Sequence, residues 1–171
     1  MSDYQVGDKV IHARYGLGEI IKMDEKFIHG RQMLCYVVKV EKLTIWVMAD
    51  EPGKSGLRLP TSDHDFENLF VILSSPGELL PTDRFDRKNE LFERMKVGDL
   101  VSICTVIRDL NAFRHIKQLN DYDKEVMERA EHFLLEEWMY SRSVSLKQAY
   151  GKLKQLLNVV SPKGEYTGKS L

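Results

Sequence analysis

The chain has 171 residues, enough for one ordinary domain or two small ones. A composition of 43% hydrophobic and 30% charged residues excludes a long disordered protein. With 25 basic residues against 26 acidic ones, the chain cannot grip nucleic acid by bulk charge, so any DNA contact must use a local patch or lean on a partner.

The amino-terminal third reads as β structure. Val6-Gly7-Asp8-Lys9-Val10-Ile11 is followed by Tyr15-Gly16-Leu17-Gly18-Glu19-Ile20-Ile21, then by the runs Leu34–Val40 and Leu43–Val47. Alternating β-branched and aromatic residues this close together, punctuated by glycine, predict a small, strongly bent antiparallel barrel. Gly18 is expected to mark a bulge where the sheet bends, and Gly30 to supply the left-handed residue of a hairpin turn. Pro52 through Gly56 reads as a loop, and Leu57-Arg58-Leu59-Pro60 as an edge strand that closes the barrel.

From Phe66 onward the apolar spacing turns helical. Ser62 or Asp63 caps a short helix carrying Phe66, Leu69, Phe70 and Leu73, and Ser74-Ser75-Pro76-Gly77 ends it. Thr82 or Asp83 opens a helix that Gly98 stops. Asp99 opens the next, with Leu100, Ile103, Cys104, Ile107 and Leu110 on one stripe. Asn120 with Asp123 reads as a capping pair for a long helix bearing Val126, Met127, Ala130, Leu134 and Trp138, where Trp138 is expected in the core. Ser143 is expected to cap the last helix, with Leu146, Ala149, Tyr150, Leu153, Leu156, Leu157 and Val160 inward. The fold class is therefore α+β: a small antiparallel β-barrel in 1–62, a short helix and linker in 63–81, a four- to five-helix domain in 82–160, and a frayed tail in 161–171.

No catalytic constellation accompanies these elements. Gly16 and Gly18 lie in a strand pattern and lack the Lys-Ser/Thr and helix of a phosphate loop. The five histidines share no metal-ligand spacing with Cys35 or Cys104, which read as reduced core thiols. Ser62-Asp63-His64-Asp65 are neighbours in a row and cannot converge as a triad must. The expectation is no enzyme, no cofactor, no metal and no small-molecule substrate. Met1-Ser2-Asp3-Tyr4 lacks the charged start and apolar run of a secretion signal, and no stretch approaches the ~20 apolar residues that span a bilayer. A cytoplasmic protein without a membrane partner is expected.

Several short motifs, in their order and spacing, resemble the CarD family of bacterial transcription regulators. Val6-Gly7-Asp8-Lys9-Val10 and Gly16-Leu17-Gly18 resemble its opening motifs, and Gly56-Leu57-Arg58 the end of its β module. Val106-Ile107-Arg108-Asp109-Leu110 is similar to its Val-Val-Arg-Asp-Leu, and Leu119-Asn120 to its next helix start. The resemblance covers about 3 to 157. It implies a Tudor-like RNA-polymerase-interaction domain that grips the polymerase β subunit, joined to a helical domain that contacts promoter DNA near the −10 element and stabilises the melted bubble.

On that resemblance Trp46 stands at a polymerase-facing position, with Met48 on the same strand face and Lys26 at a basic contact position. Strand alternation alone leaves Trp46 either outward as an anchor or inward as core. In the DNA-facing helix start, Arg84-Phe85-Asp86-Arg87-Lys88 stands where the family has Trp-x-Arg-Arg-Tyr, so that Arg84 replaces the tryptophan and only Arg87 matches. Arg84, Arg87 and Lys88 form the expected phosphate patch and Phe85 a displaced wedge, with Arg114 and Lys117 as a second phosphate contact. The expected function is a regulator that docks on polymerase and steadies promoter DNA, to which it binds weakly by itself. The competing reading is a protein-only polymerase adaptor whose DNA binding is weakened or lost with the tryptophan.

Overall fold

Five strands and five helices follow one another along the chain: β1 (Lys9–His12), β2 (Gly16–Ile28), β3 (Arg31–Val40), β4 (Leu43–Met48), β5 (Leu57–Arg58), α1 (Phe66–Ser74), α2 (Arg84–Val97), α3 (Leu100–Phe113), α4 (Asp121–Arg142) and α5 (Leu146–Asn158). The computed structural model describes residues 4–49 and 55–158. The loop expected from Pro52, the core position Val160 and the tail 161–171 lie outside the described residues. The chain divides into two units, Met1–Pro60 and Thr61–Leu171, and the architecture is α+β as the sequence predicts.

In the first unit all strands join one antiparallel sheet in the order β4-β3-β2-β1-β5. Among the described residues no pairing joins β5 to β4, so both remain edge strands of the ladder. The inner face carries Val10, Ile20, Tyr36, Val38, Val40, Val47 and Ala49, all buried. His29 (φ 48°) and Gly30 (φ 78°) turn β2 into β3 through a two-residue loop in which both residues have positive φ, the geometry that matches strand twist.

The bulge falls at Ile21 rather than at Gly18. Register passes from Ile20↔Val38 directly to Lys22↔Val37, so Ile21 is an extra residue and stands exposed. Strict alternation counted from Ile20 would turn Lys22 inward; the bulge takes up one count of that period of two and resets it along the rest of β2. Lys22, Asp24 and Lys26 thereby join Trp46 and Met48 on the outer face, while Met23 packs inward. Gly18 has a different task. A Cβ there would come within 2.7 Å of methyls of both Val38 and Val40 and 3.0 Å of the Lys39 carbonyl. Gly18→Ala is expected to destabilise the sheet unit by roughly 1–3 kcal/mol through overpacking, read as a lower urea midpoint in a strand-sensitive signal; an unchanged midpoint would show that the two valines move aside freely.

The second unit buries one apolar core drawn from all five helices. The segment expected as a linker is part of that core. Phe66, Leu69 and Leu73 of α1 are buried, as is Leu80 beyond it, because a stripe of that size has no stable exposed state. The connection itself is tied down by Asp109 of α3, whose carboxylate accepts from the Glu78 N–H at 2.8 Å, from Arg94 at 2.6 Å and from Arg108 at 2.7 Å. Asp109 is fully buried. The Arg-Asp-Leu motif thus joins α2, α3 and the connection after α1.

Helix ends follow the sequence with one correction. Asp83, Asp99 and Asn120 cap α2, α3 and α4, and Asn120 with Asp123 forms a reciprocal capping box. The last helix is capped by Ser145, whose Oγ accepts from the Gln148 N–H while Gln148 Oε1 accepts from the Ser145 N–H. Ser143 instead ends α4 in a left-handed conformation (φ 50°). Leu146 and Tyr150, expected inward, are exposed; Ala149, Leu153 and Leu157 alone complete the buried stripe of α5.

Candidate functional site

Two surfaces hold the residues singled out from the sequence, one in each unit. In the sheet unit Trp46 is 47% exposed and Met48 45%, which resolves the choice between core and outward face in favour of the latter. Trp46 pairs with Val37, which also pairs with Lys22; Met48 pairs with Cys35, which also pairs with Asp24. The Lys26 ammonium lies 4.3 Å from the Trp46 ring centroid, and the indole N–H bonds to Asp24. Both Lys26 and Asp24 belong to β2, with β3 between them and β4, so the indole crosses β3 to reach them. It lies over Val37 and Cys35, each only 1% exposed although both point to this outer face.

The result is an ordered indole, fixed at its edge by a carboxylate and on its face by an ammonium. Lys22, bonded to Asp24 at 3.1 Å, holds that carboxyl below its usual range, with the indole N–H adding to the effect. Such a ring loses little further freedom when a partner covers it. Among the described residues no strand pairs with the outer edge of β4, and such an edge is a template for strand addition. Beyond Cys35 and Glu19 the β2–β3 hairpin continues with neither β1 nor β4 beside it, and Phe27 near its tip is 78% exposed.

In the helical unit the candidates gather at one end, where the start of α2, the end of α3 and the start of α4 meet. Arg87 joins all three, and this overturns its assignment to DNA. It is 3% exposed and forms a two-pronged bond to Asp123, itself 1% exposed, with Nε at 3.0 Å and Nη2 at 3.0 Å. Its Nη1 donates to the Pro81 and Thr82 carbonyls, and its guanidinium lies 4.5 Å from the Phe113 ring centroid. The one arginine that matches the family motif here is a structural bolt. A helical-wheel count places position 87 with Leu91 on the inner face, a signal that was readable but carried no hint of a buried carboxylate partner.

Around this bolt Arg84, Phe85 and Lys88 are exposed, as are Arg114 and Lys117. Arg84 lies 5.0 Å from the Phe85 ring centroid and Lys88 5.1 Å from that of Tyr122. Together with Asn120 and Asp121 they line a shallow depression of about 380 Å³. Tyr122 is the member that sequence reasoning missed, because its position at the start of α4 reads as an ordinary surface residue until Lys88 is seen over it. The Asp83 carboxylate caps α2 and is held below its usual range by the Asp86 and Phe85 N–H groups, so it is committed to the helix. Asp86 is exposed on the far side of α2, so the depression sets the two cations Arg84 and Lys88 against the single carboxylate of Asp121.

Both cysteines are buried thiols, and burial pushes the Cys104 thiol far up its scale, which keeps it protonated and inert. No helix among the described residues is long and apolar enough to cross a membrane.

Comparison with known proteins bears on both units. Residues 68–154, about half of the chain, match the family described as "CarD, C-terminal domain". A protein of Bacillus subtilis (strain 168) named "Putative transcription factor YdeB" is 24% identical over 149 residues, covering 85% of this chain and 96% of that one.

Proposed function

The chain belongs to the CarD family of transcription regulators, and from that premise we propose that its sheet unit docks on the RNA polymerase β subunit while its helical unit steadies promoter DNA beside the −10 element. The observation that carries this reading is the exposed indole of Trp46, pre-ordered by Lys26 and Asp24 next to an open strand edge. An aromatic anchor beside a thioether on an edge strand is how one sheet recruits another: backbone bonds supply register and the side chains supply affinity. The DNA half rests on Arg84 and Lys88, two exposed cations flanking Phe85 and Tyr122. With Arg87 committed to Asp123, that patch is smaller than the family motif implies. Weak DNA affinity suffices, because docking on polymerase raises the effective concentration of the helical unit at the promoter.

The reading is tested by capture of purified polymerase β-subunit lobe on the immobilised chain, together with open-complex lifetimes on a promoter template. The chain is expected to retain the lobe and to lengthen the lifetime. Arg84→Glu with Lys88→Glu is expected to leave capture intact and return the lifetime to its value without the regulator. Intact capture with an unaltered lifetime in this double variant would favour the protein-only adaptor, a reading to which the withdrawal of Arg87 lends weight.

A further inference from the structure

Helix α5 stands apart from its neighbours in charge. It carries Lys147, Lys152 and Lys154 and no carboxylate, whereas α4 beside it carries seven carboxylates against three Lys and Arg residues. Its buried stripe, Ala149, Leu153 and Leu157, turns Lys147, Gly151, Lys154 and Asn158 to the opposite side, where all four are exposed and fall at intervals of four, three and four residues. Gln148 and Gln155 flank that line and are exposed as well. Every side chain on this face is a hydrogen-bond donor or is missing.

The missing one is informative. Gly151 sits in the interior of a helix, where glycine costs roughly 1 kcal/mol relative to alanine. Its φ is not positive, and a Cβ built there meets nothing within 4 Å. Among the described residues neither strain nor packing asks for glycine there. Its remaining physical use is to let another surface approach the helix backbone closely.

We propose that the outer face of α5 is a second nucleic-acid surface, seated on the sugar–phosphate backbone of duplex DNA with Gly151 at the point of closest approach. This rests on the DNA half of the proposed function and extends it to a surface that no family motif marks. Lys147 and Lys154 are two turns apart, roughly 10 Å, a spacing that lets them reach two separate phosphates of one strand. The amides of Gln148, Gln155 and Asn158 donate to phosphate oxygens without reading sequence. Arg114 at the end of α3 and Lys154 both lie within electrostatic reach of the half-buried Glu131 of α4, a carboxylate that tempers the charge of each.

The test is fluorescence anisotropy of a short labelled DNA duplex titrated with the full chain over a series of salt concentrations. Lys147→Gln with Lys154→Gln is expected to lower the slope of log affinity against log salt by roughly 2, the loss of two phosphate contacts. Gly151→Ala is expected to raise the melting temperature while weakening the duplex several-fold, two changes that a structural role cannot produce together. An unaltered slope in the lysine pair, or an affinity unchanged in Gly151→Ala, overturns the surface. If Arg84→Gln with Lys88→Gln still weakens the duplex in that case, the DNA half of the function stands and only α5 is withdrawn. Absence of salt-dependent binding by the unaltered chain overturns both.

Discussion

Trp46→Glu is expected to weaken capture of the polymerase β-subunit lobe by about 30-fold or more, on the order of 2 kcal/mol, the scale on which a central tryptophan acts as an interface hot spot. The indole offers its exposed half to a partner while Asp24 and Lys26 already hold it in one orientation. A glutamate loses the contact area, sets a second carboxylate beside Asp24 and cannot stack under the Lys26 ammonium. Because the indole also covers Val37 and Cys35, the sheet needs its own control. Met48→Glu changes the same face one pleat further along β4 without uncovering Val37, and is expected to weaken capture in the same direction. Circular dichroism of both variants reports the sheet. Undiminished capture by a folded Trp46→Glu variant would remove this face from the interface.

The second large effect concerns stability. Asp123→Ala is expected to cost about 3–5 kcal/mol, because it strands the Arg87 guanidinium in a site that excludes water. The loss is compounded at the helix start, where Asp123 also accepts from the Asn120 N–H in the capping box. Arg87→Ala is expected to fall in the same range, since it orphans a buried carboxylate. Replacing both at once, Arg87→Met with Asp123→Leu, restores much of the loss, as apolar groups of similar volume need no partner. Urea unfolding followed by helical dichroism measures all three. A pair of single variants near the wild-type midpoint would show that water reaches the pair freely, contrary to its 3% and 1% exposure.

Much of the fold was legible because local rules and tertiary packing agree. The caps at Asp83, Asp99 and Asn120 and the stripe of α3 follow from side-chain chemistry within a few residues of one another. What was not legible depends on partners distant in sequence. Arg87 reads as a surface cation until Asp123, far along the chain, is brought against it by the crossing of α2 and α4. The segment 63–81 reads as a joint because its helix is short, whereas the burial of Phe66, Leu69, Leu73 and Leu80 and the bond from the Glu78 N–H to Asp109 make it part of the body. Ser143 reads as the cap of the last helix, but α4 runs on to Arg142 and takes Ser143 as its left-handed end, which leaves the capping to Ser145. For the candidate site, alternation in β4 left Trp46 undecided because both Ile45 and Val47 also fit a core. Its outward position is fixed by pairing with Val37, which periodicity in one strand does not report.

The supernumerary residue at Ile21 lets β2 fall out of step with its own numbering while keeping its partners on β3. Deleting it would leave Ile20 against Val38 and Lys22 against Val37 in an unbroken ladder, with Asp24 and Lys26 still outward and Met23 still inward. A codon lost at this one point is therefore absorbed by the bulge, and the face beyond it survives the change.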